Sequence, residues 1–340
     1  MNMLRITTNP IARLARFVTR RADSTAFHNV QIGNTNIGKM HPCFFVAEVG
    51  INHNGSMEIA KKLIDAASTA GAQAVKFQKR TIPVVYTQEG LAKSRSVDRG
   101  VLENALTRGV LSSEAVARLT KSDFKDSTNG DLKYALEFNE AEYRQLFGYA
   151  NGKGLLAFAS PWDPASVDFL ERFNPPCHKV ASASLTDDEL LQRIRSKNRP
   201  VILSTGMSTM EQVRHAVSNL DTNKLVLLHT VSTYPAVDGD LNLKMIDKLR
   251  RAFPGIPVGY SGHEKGIQAS MAAATVGAHV IERHITLDKN MFGTDQSASL
   301  EPQEFKDLIS GVRLIEAAYG DGVKRVLDAE IPIISKLRRK

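Results

Sequence analysis

Short apolar runs rich in β-branched and aromatic residues alternate with helix-like segments along the sequence from Phe44 onward. Eight such runs occur, at 44–50, 74–78, 155–161, 177–182, 201–206, 225–231, 257–263 and 279–287. An eightfold alternation of strand and helix is typical of an α/β protein with a (β/α)8 TIM barrel, and an open doubly wound sheet is the alternative. We therefore predict a TIM barrel.

Two segments depart from the regular alternation. In VQIGNTNIGK, Gly33 and Asn34 separate two short β-like runs, which predicts an N-terminal β-hairpin that caps the bottom of the barrel. Residues 84–139 form an overlong connection after the second strand, and we predict an insertion with its own helix in LENALTRGVLSSEAVARLT. Such long connections commonly act as lids or contact surfaces. We expect a single barrel domain over residues 28–330.

The net charge of +8 is concentrated at the two ends of the chain. Residues 1–27 are rich in arginine and residues 331–340 form a basic tail, whereas the segment between them is close to neutral. We therefore expect no nucleic-acid face, and no apolar run reaches the roughly 18 residues of a membrane-spanning helix. Cys43 and Cys177 lack the spacing of a disulfide framework, which favours reduced thiols and a cytoplasmic protein. The alternative is an organelle, if residues 1–27 are a targeting segment rather than a disordered extension.

Polar residues concentrate where the predicted strands end, although burying polar groups is costly. They are Glu48, Lys76, Gln78, Ser160, Lys179, Ser182, Ser204, Thr205, His229, Ser261, His263, Glu282 and His284. The C-terminal ends of barrel strands meet at one mouth, where the active sites of TIM-barrel enzymes lie. Lys76 and Lys179 interrupt apolar runs, and two ammonium groups with several hydroxyls suit a small phosphorylated anion. The alternative for either lysine alone is a solvated surface position.

His229 and His284 end the predicted sixth and eighth strands, which approach each other at the mouth. Imidazoles with no cysteine nearby suit Mn²⁺, Fe²⁺ or Zn²⁺, and an oxygen-rich mouth also suits Mg²⁺. Glu282 shares a strand face with His284, because side chains alternate along a strand. We predict a divalent metal bound by the two histidines; the alternative is a pair of hydrogen-bonded barrel-core residues.

Seven ordered motifs resemble the N-acetylneuraminate (sialic acid) synthase family, and the likeness extends from about Phe44 to Arg339. The motifs are FFVAEVGINHNGS, AVKFQ, HKVASASLTDD, VILSTGMST, LLHTVSTYP, VGYSGHEKG and ERHITLDKNMFGTDQSASLEP. Members of this family condense phosphoenolpyruvate with an N-acyl amino sugar, typically N-acetylmannosamine, on a (β/α)8 barrel with a divalent metal. The resemblance implies the same activity here in a homodimer, with Mn²⁺ as the metal and Mg²⁺ or Co²⁺ as alternatives.

The resemblance also implies roles for individual residues. Glu48 would be the catalytic carboxylate, assisted by His284 and Asp295, and the metal ligands would be His229 and His284. The predicted contacts to phosphoenolpyruvate are Lys76, Lys179, Ser160, Ser182 and Ser208, and those to the sugar are Asn52, Gln78 and Asp295. A carboxylate at the position of Glu48 could stabilise a developing cation and help to deliver water.

The sequence departs from the common family pattern at two places. Many members continue into a small antifreeze-like domain that covers the mouth of the partner subunit, whereas this sequence ends at IPIISKLRRK. We expect a short form in which the insertion 84–139, or a separate polypeptide, covers the mouth. Ser184 stands where the family usually has an acid. The acceptor is therefore left open among N-acetylmannosamine, its 6-phosphate, free mannose and diacetamido sugars.

Other functions are kept as alternatives. One is a synthase for a related nonulosonic acid, such as legionaminic acid, pseudaminic acid or Kdn. Another is a lyase or aldolase in which Lys76 or Lys179, with a lowered pKa, forms a Schiff base with pyruvate and needs no metal. The third is a non-enzymatic sugar-binding relative, which would require an incomplete site.

Overall fold

The computed structural model describes residues 28–339 of the chain. A hairpin of β1 (Val30–Ile32) and β2 (Thr35–Ile37) precedes eight parallel strands. These are β3 (Phe44–Gly50), β4 (Ala74–Lys79), β5 (Leu156–Pro161), β6 (His178–Val180), β7 (Val201–Ser204), β8 (Leu225–Thr230), β9 (Val258–Gly262) and β10 (Val280–His284). Their order is β5-β4-β3-β10-β9-β8-β7-β6. The first and last barrel strands therefore pair, as a TIM barrel requires, and the predicted fold is confirmed.

Helices follow the barrel strands in turn. They are α1 (Met57–Ala70), α7 (Glu140–Gly152), α8 (Pro164–Glu171), α9 (Asp188–Ser196), α10 (Met210–Ser218), α11 (Lys244–Ala252), α12 (Gln268–Thr275) and α13 (Pro302–Tyr319), with a terminal α14 (Ile331–Leu337). Local sequence sets their ends. Helix α1 begins after Ser56, whose hydroxyl accepts a hydrogen bond from the Ile59 amide, and it ends at Gly71 with φ +91°.

The barrel has an inner and an outer core, because alternate residues of each strand face opposite sides. The outer core packs residues such as Phe45, Ala47 and Val49 against the surrounding helices. The inner core contains Phe44 and Val46, together with Val30, Ile32 and Ile37 of the hairpin. The hairpin therefore closes the bottom of the barrel, as predicted, and polar inward positions are confined to the mouth.

The insertion after β4 contains five helices rather than the single predicted one. They are α2 (Ile82–Val85), α3 (Gln88–Ala92), α4 (Arg99–Thr107), α5 (Ser113–Lys121) and α6 (Asn129–Leu136). The segment predicted as one helix divides into α4 and α5, each started by the side chain of its own cap residue, Asp98 or Ser112. The insertion has a small core of its own that contains Leu102, Leu119 and Leu132, and Ile51 and Phe292 of the barrel loops pack against it. It therefore lies beside the mouth.

Several predicted strands are shorter than expected at their mouth ends. Strand β6 ends at Val180, and Ser182 begins a 3-10 turn, Ser182–Ser184, in which the Leu185 amide donates to the Ser182 carbonyl. Both cysteines are buried and unpaired. No helix of residues 28–339 is long and apolar enough to cross a membrane. The basic segment 1–27 lies outside the described residues.

Candidate active site

Glu48 and Lys76 form an ion pair at the mouth. They lie side by side on paired strands β3 and β4, and Lys76 Nζ is 2.7 Å from Glu48 Oε2. Lys76 Nζ also donates a hydrogen bond of 3.3 Å to Ser160 Oγ, and Gln78 Nε2 donates one of 2.8 Å to Glu48 Oε1. Because Gln78 holds one carboxylate oxygen and Lys76 faces the other, the orientation of Glu48 is defined by its neighbours.

A second carboxylate, Glu282 on β10, links the two lysines. Glu282 Oε1 lies 3.7 Å from Lys76 Nζ and 3.6 Å from Lys179 Nζ. Lys179 also donates hydrogen bonds to Ser204 Oγ, at 2.7 Å, and to the Val180 carbonyl, at 3.1 Å. Lys76 and Lys179 are 4% and 2% exposed, so their charges are removed from bulk water. Two cations and two carboxylates thus meet inside the mouth.

The protonation of these groups differs according to their neighbours. Burial raises the pKa of Glu48, aided by the nearby Glu282 carboxylate, although Lys76 opposes the shift. Burial also acts to raise the pKa of Glu282, but the attraction of Lys179 and Lys76 outweighs it and the pKa falls. Burial lowers the pKa of Lys179 to about 8, and the Lys76 cation adds to the shift while Glu282 opposes it. Lys179 is therefore a cation that can lose its proton near neutral pH.

Ser182 and Ser208 meet at Gly206, in the loop that follows β7. Ser182 Oγ accepts a hydrogen bond from the Gly206 amide at 3.0 Å, and Ser208 Oγ donates one to the Gly206 carbonyl at 3.1 Å. A Cβ at position 206 would lie 2.7 Å from Ser182 Oγ, so the close approach of loop and hydroxyl requires glycine. The structure thus gathers the two predicted serines, which lie beside the strands that carry Lys179 and Ser204.

The two predicted metal ligands do not face each other. In β8, Leu225 and Leu227 belong to the helix-facing core, so alternation places His229 on that side. There its Nε2 donates to the Leu241 carbonyl at 2.7 Å, which leaves Nδ1 with its lone pair. His284 instead lies beside His263, with 5.5 Å between ring centroids. This difference follows from the alternation of side chains along a strand: His229 lies on the helix-facing side of β8, whereas His284 lies on the inner side of β10.

His263 is therefore a candidate metal ligand, although the sequence analysis placed it at a strand end without giving it a role. Its Nδ1 donates to the Val231 carbonyl at 2.6 Å, a hydrogen bond that orients the ring and leaves Nε2 free. Burial lowers the pKa of His263 to about 3 and that of His284 to about 4. Both rings are thus neutral, the form that binds metals. The motif VGYSGH could have indicated this residue, because its histidine directly follows β9, the strand that pairs with β10.

These histidines fit a catalytic rather than a structural metal. Within residues 28–339, no three His, Cys, Asp or Glu side chains group closely enough to hold an ion by themselves. The buried Nδ1 of His284 has no hydrogen-bond partner and lies 3.9 Å from Asp295 Oδ2. A metal held here by histidines would keep open positions for substrate or water, as catalytic sites do.

The predicted sugar contacts surround this group, although one of them has a structural role. Asn52 Nδ2 donates to the Ile285 carbonyl at 2.9 Å and to Ser299 Oγ at 2.8 Å, so its amide fastens the loop after β10. Only its buried Oδ1 lacks a partner. Asp295 lies in that same loop near His284, and Gln78 lies near Glu48 and Arg80. The loop and the mouth are thus joined through Asn52.

Comparisons with known proteins identify the family of the chain. The sequence model of the NeuB family matches residues 102–324. The chain is 38% identical to human N-acetylneuraminate-9-phosphate synthase over 304 residues, which cover 88% of this chain and 78% of the relative. It is 35% identical to N,N'-diacetyllegionaminic acid synthase of Legionella pneumophila over 310 residues, covering 89% and 80%.

A solved structure shows the same architecture. The N-acetylneuraminic acid synthetase of Leptospira borgpetersenii superposes with a TM-score of 0.70 at 31% identity, covering 92% of this chain and 98% of that one. These relatives are synthases of sialic and related nonulosonic acids. On the match of family, sequence and fold, the chain belongs to the NeuB family.

Proposed function

We propose that the protein condenses phosphoenolpyruvate with an N-acyl amino sugar, N-acetylmannosamine or its 6-phosphate, to give a nonulosonic acid and phosphate in a metal-dependent reaction. One observation carries the proposal: Lys76 and Lys179 share Glu282 Oε1 beside Glu48, inside the mouth of a NeuB-family barrel. Family relatives with other acceptors make legionaminic or pseudaminic acid, so those acceptors belong in the test.

The two lysines are suited to phosphoenolpyruvate, whose carboxylate and phosphate together carry up to about three negative charges. Lys76 and Lys179 can bind its phosphate or carboxylate as point charges, and the hydroxyls of Ser160, Ser182 and Ser208 can donate directed hydrogen bonds. Glu282 keeps both ammonium groups close together before the substrate arrives. Burial strengthens the attraction, because the low dielectric of the mouth screens charge less than water does.

We propose Mn²⁺ as the metal, held by His263 and His284, with His229 as a further candidate ligand from the adjoining strand end. A divalent ion supplies Lewis-acid polarisation of the acceptor aldehyde when it is bound. His263 and His284 are held neutral by burial, and the Val231 carbonyl orients His263. We also propose a homodimer, on the strength of the resemblance to the family.

The reaction requires one carbon–carbon bond to form and one carbon–oxygen bond to break. Carbon 3 of the enol attacks the open-chain aldehyde, whose oxygen takes up a proton, and carbon 2 becomes a cation. The carboxylate of Glu48 can stabilise this cation and accept the proton of the water that adds to carbon 2. The tetrahedral intermediate then expels phosphate with its bridging oxygen, and the new hydroxyl passes its proton to the departing phosphate and becomes the ketone. The proton that Glu48 accepted from water replaces the one taken up by the aldehyde oxygen. The raised pKa of Glu48 suits it to this proton transfer.

The direct test measures phosphate release from phosphoenolpyruvate by protein stripped of metal, with and without Mn²⁺, across a panel of acceptor sugars. Phosphate release that depends on both Mn²⁺ and one sugar supports the proposal, and the identity of that sugar identifies the product. Release without any acceptor, or none under all conditions, rejects it.

The lyase alternative has one specific observation in its favour. Because the pKa of Lys179 is about 8, a fraction of this amine is neutral at pH 7 to 8 and could attack the ketone of pyruvate. Borohydride reduction in the presence of pyruvate would then add a stable mass to Lys179. Absence of that adduct, with metal-dependent phosphate release, separates the synthase from the lyase.

A further inference from the structure

A cluster of basic side chains lies at the rim of the mouth, and the reaction described above does not use it. It consists of Arg80, just after β4, Arg95, between α3 and α4, and Lys133 on α6; we call it the basic rim. Burial and the Arg80 and Arg95 cations lower the pKa of Lys133 to about 8, whereas Asp295 opposes the shift. Arg95 and Lys133 line one cleft with Thr294, the neighbour of Asp295, and the effect of Arg80 on the Lys133 pKa indicates that Arg80 lies near the same cleft.

The positive charge of the basic rim is only partly neutralised. Glu137 pairs with the Arg80 guanidinium through Oε1, at 3.5 Å, but its Oε2 pairs with Lys79 at 3.0 Å and accepts a hydrogen bond from the Arg80 backbone amide at 3.2 Å. Arg95 donates to a neutral partner, Asn129 Oδ1. Lys133 forms no ion pair with any residue of 28–339; its ammonium lies 5.0 Å from the centre of the Tyr86 ring.

The surroundings of Arg80 also suit a bound anion. Its side chain stacks 4.4 Å from the Trp162 ring and is bound through one terminal nitrogen to Gln78. The residue is only 8% exposed, yet its buried Nε has no hydrogen-bond partner. A buried donor without a partner costs free energy. An anion that accepts a hydrogen bond from Nε of the guanidinium would remove this cost.

The position of the basic rim indicates which anion it would bind. Gln78 connects Arg80 to Glu48, and Arg95 and Lys133 line a small cleft with Asn54, Phe292 and Thr294, next to Asp295. In the proposed reaction the acceptor aldehyde must lie deep in the mouth near Glu48. The opposite end of the sugar, which carries carbon 6, then points out towards the rim.

We propose that Arg80, Arg95 and Lys133 form a subsite for a phosphate group on carbon 6 of the acceptor, so that the protein uses a phosphorylated amino sugar. This inference rests on the proposed function and deepens it by naming the acceptor class. A phosphate monoester carries close to two negative charges at pH 7, which matches a rim with an excess of positive charge. The insertion thus contributes to acceptor choice, since Arg95 and Lys133 both belong to it.

The test compares kcat/KM for N-acetylmannosamine and its 6-phosphate in the wild type, Lys133→Gln and Arg95→Gln. We expect the wild type to prefer the phosphorylated sugar, and each substitution to reduce that preference by about tenfold or more, the typical worth of a charge-assisted hydrogen bond. Lys125→Gln removes an exposed cation of the same insertion and should leave the preference unchanged. Added salt should raise KM for the phosphorylated sugar alone.

The outcomes separate the two proposals. A preference for the unphosphorylated sugar, an equal loss with both sugars, or a loss expressed only in KM for phosphoenolpyruvate overturns the acceptor subsite while the synthase stands. If no sugar supports phosphate release, the synthase fails. Calorimetry with the reduced 6-phosphorylated sugar alcohol, which cannot condense, then still decides the subsite: binding weakened by Lys133→Gln supports it, and unchanged or absent binding rejects it.

Discussion

Lys179 Nζ lies 3.6 Å from Glu282 Oε1, although β6 and β10 do not pair in the sheet. The contact crosses the interior of the barrel and joins a cation whose pKa is lowered to about 8 to a carboxylate whose pKa is also lowered. Burial lowers the pKa of Lys179, and Glu282 favours the charged form of Lys179 from across the mouth. Binding of an anionic substrate should depend on this pair.

Phosphoenolpyruvate binding should weaken in alkaline solution. The pKa of Lys179 in the free protein is about 8, below its usual value of 10.5, so its cation is present below pH 8 and is lost as the pH rises through it. We expect kcat/KM for phosphoenolpyruvate, which reports the free enzyme, to fall above about pH 8. In Glu282→Gln, the fall should begin at lower pH, because the opposing carboxylate is gone. A profile that stays flat to pH 9.5 contradicts this role of Lys179.

Substitution of Lys179 should impair substrate binding more than folding. Lys179→Met keeps an apolar chain of similar length and removes the charge, so we expect KM for phosphoenolpyruvate to rise by about tenfold or more. Initial rates at varied phosphoenolpyruvate measure the change. Thermal unfolding serves as the control, and unaltered kinetics in a folded variant would remove Lys179 from the site.

Glu48 should be needed for turnover and not for binding of phosphoenolpyruvate. Glu48→Gln keeps the shape of the side chain, and its amide oxygen can still accept the hydrogen bond from Gln78. The amide cannot accept a proton as the carboxylate does. We expect kcat to fall by roughly 100-fold or more, in the range of general acid–base catalysis. Calorimetry should show that phosphoenolpyruvate still binds. Full activity in this variant would exclude Glu48 as the catalytic carboxylate.

The histidines should determine metal content. His263→Ala should reduce bound Mn²⁺, measured by elemental analysis, and abolish metal-dependent turnover while circular dichroism shows a folded barrel. His215, exposed and paired with Asp188, provides the matched control His215→Ala. Metal loss in His284→Ala supports the adjacent pair seen here. Metal loss in His229→Ala would instead require that ring to turn away from Leu241. Retention of metal in His263→Ala contradicts the assignment.

Arg108 should hold the insertion against the barrel. Its guanidinium pairs with Glu142 of α7 at 2.7 Å and donates to the carbonyls of Ala135 and Glu137, each at 2.7 Å. Arg108→Ala should lower the free energy of unfolding by about 3 to 5 kcal/mol, because it leaves Glu142 and two carbonyls without their partner. Proteolysis should then cut within 84–139, and KM for the acceptor should rise. In contrast, Arg144→Ala, which breaks an exposed pair, should have little effect.

The sequence alone was sufficient for the barrel, the closing hairpin and most of the mouth. Strand and helix periods reveal the elements, and the rule that barrel chemistry collects at strand ends brings Glu48, Lys76 and Lys179 into one group. The motifs named the family, which the comparisons confirm. These features are local, because each depends on neighbouring residues along one strand.

Only the tertiary structure decided how those groups act on each other. Glu282 reaches Lys179 across the barrel, His284 lies beside His263 rather than His229, and the insertion brings Lys133 towards Asp295. Strand periodicity gives the side of each strand on which a residue lies, but it does not give these contacts, because they depend on which strand ends meet across the mouth and on how the long insertion folds back. Burial and charge across space, rather than order along the chain, set the pKa values and therefore the chemistry.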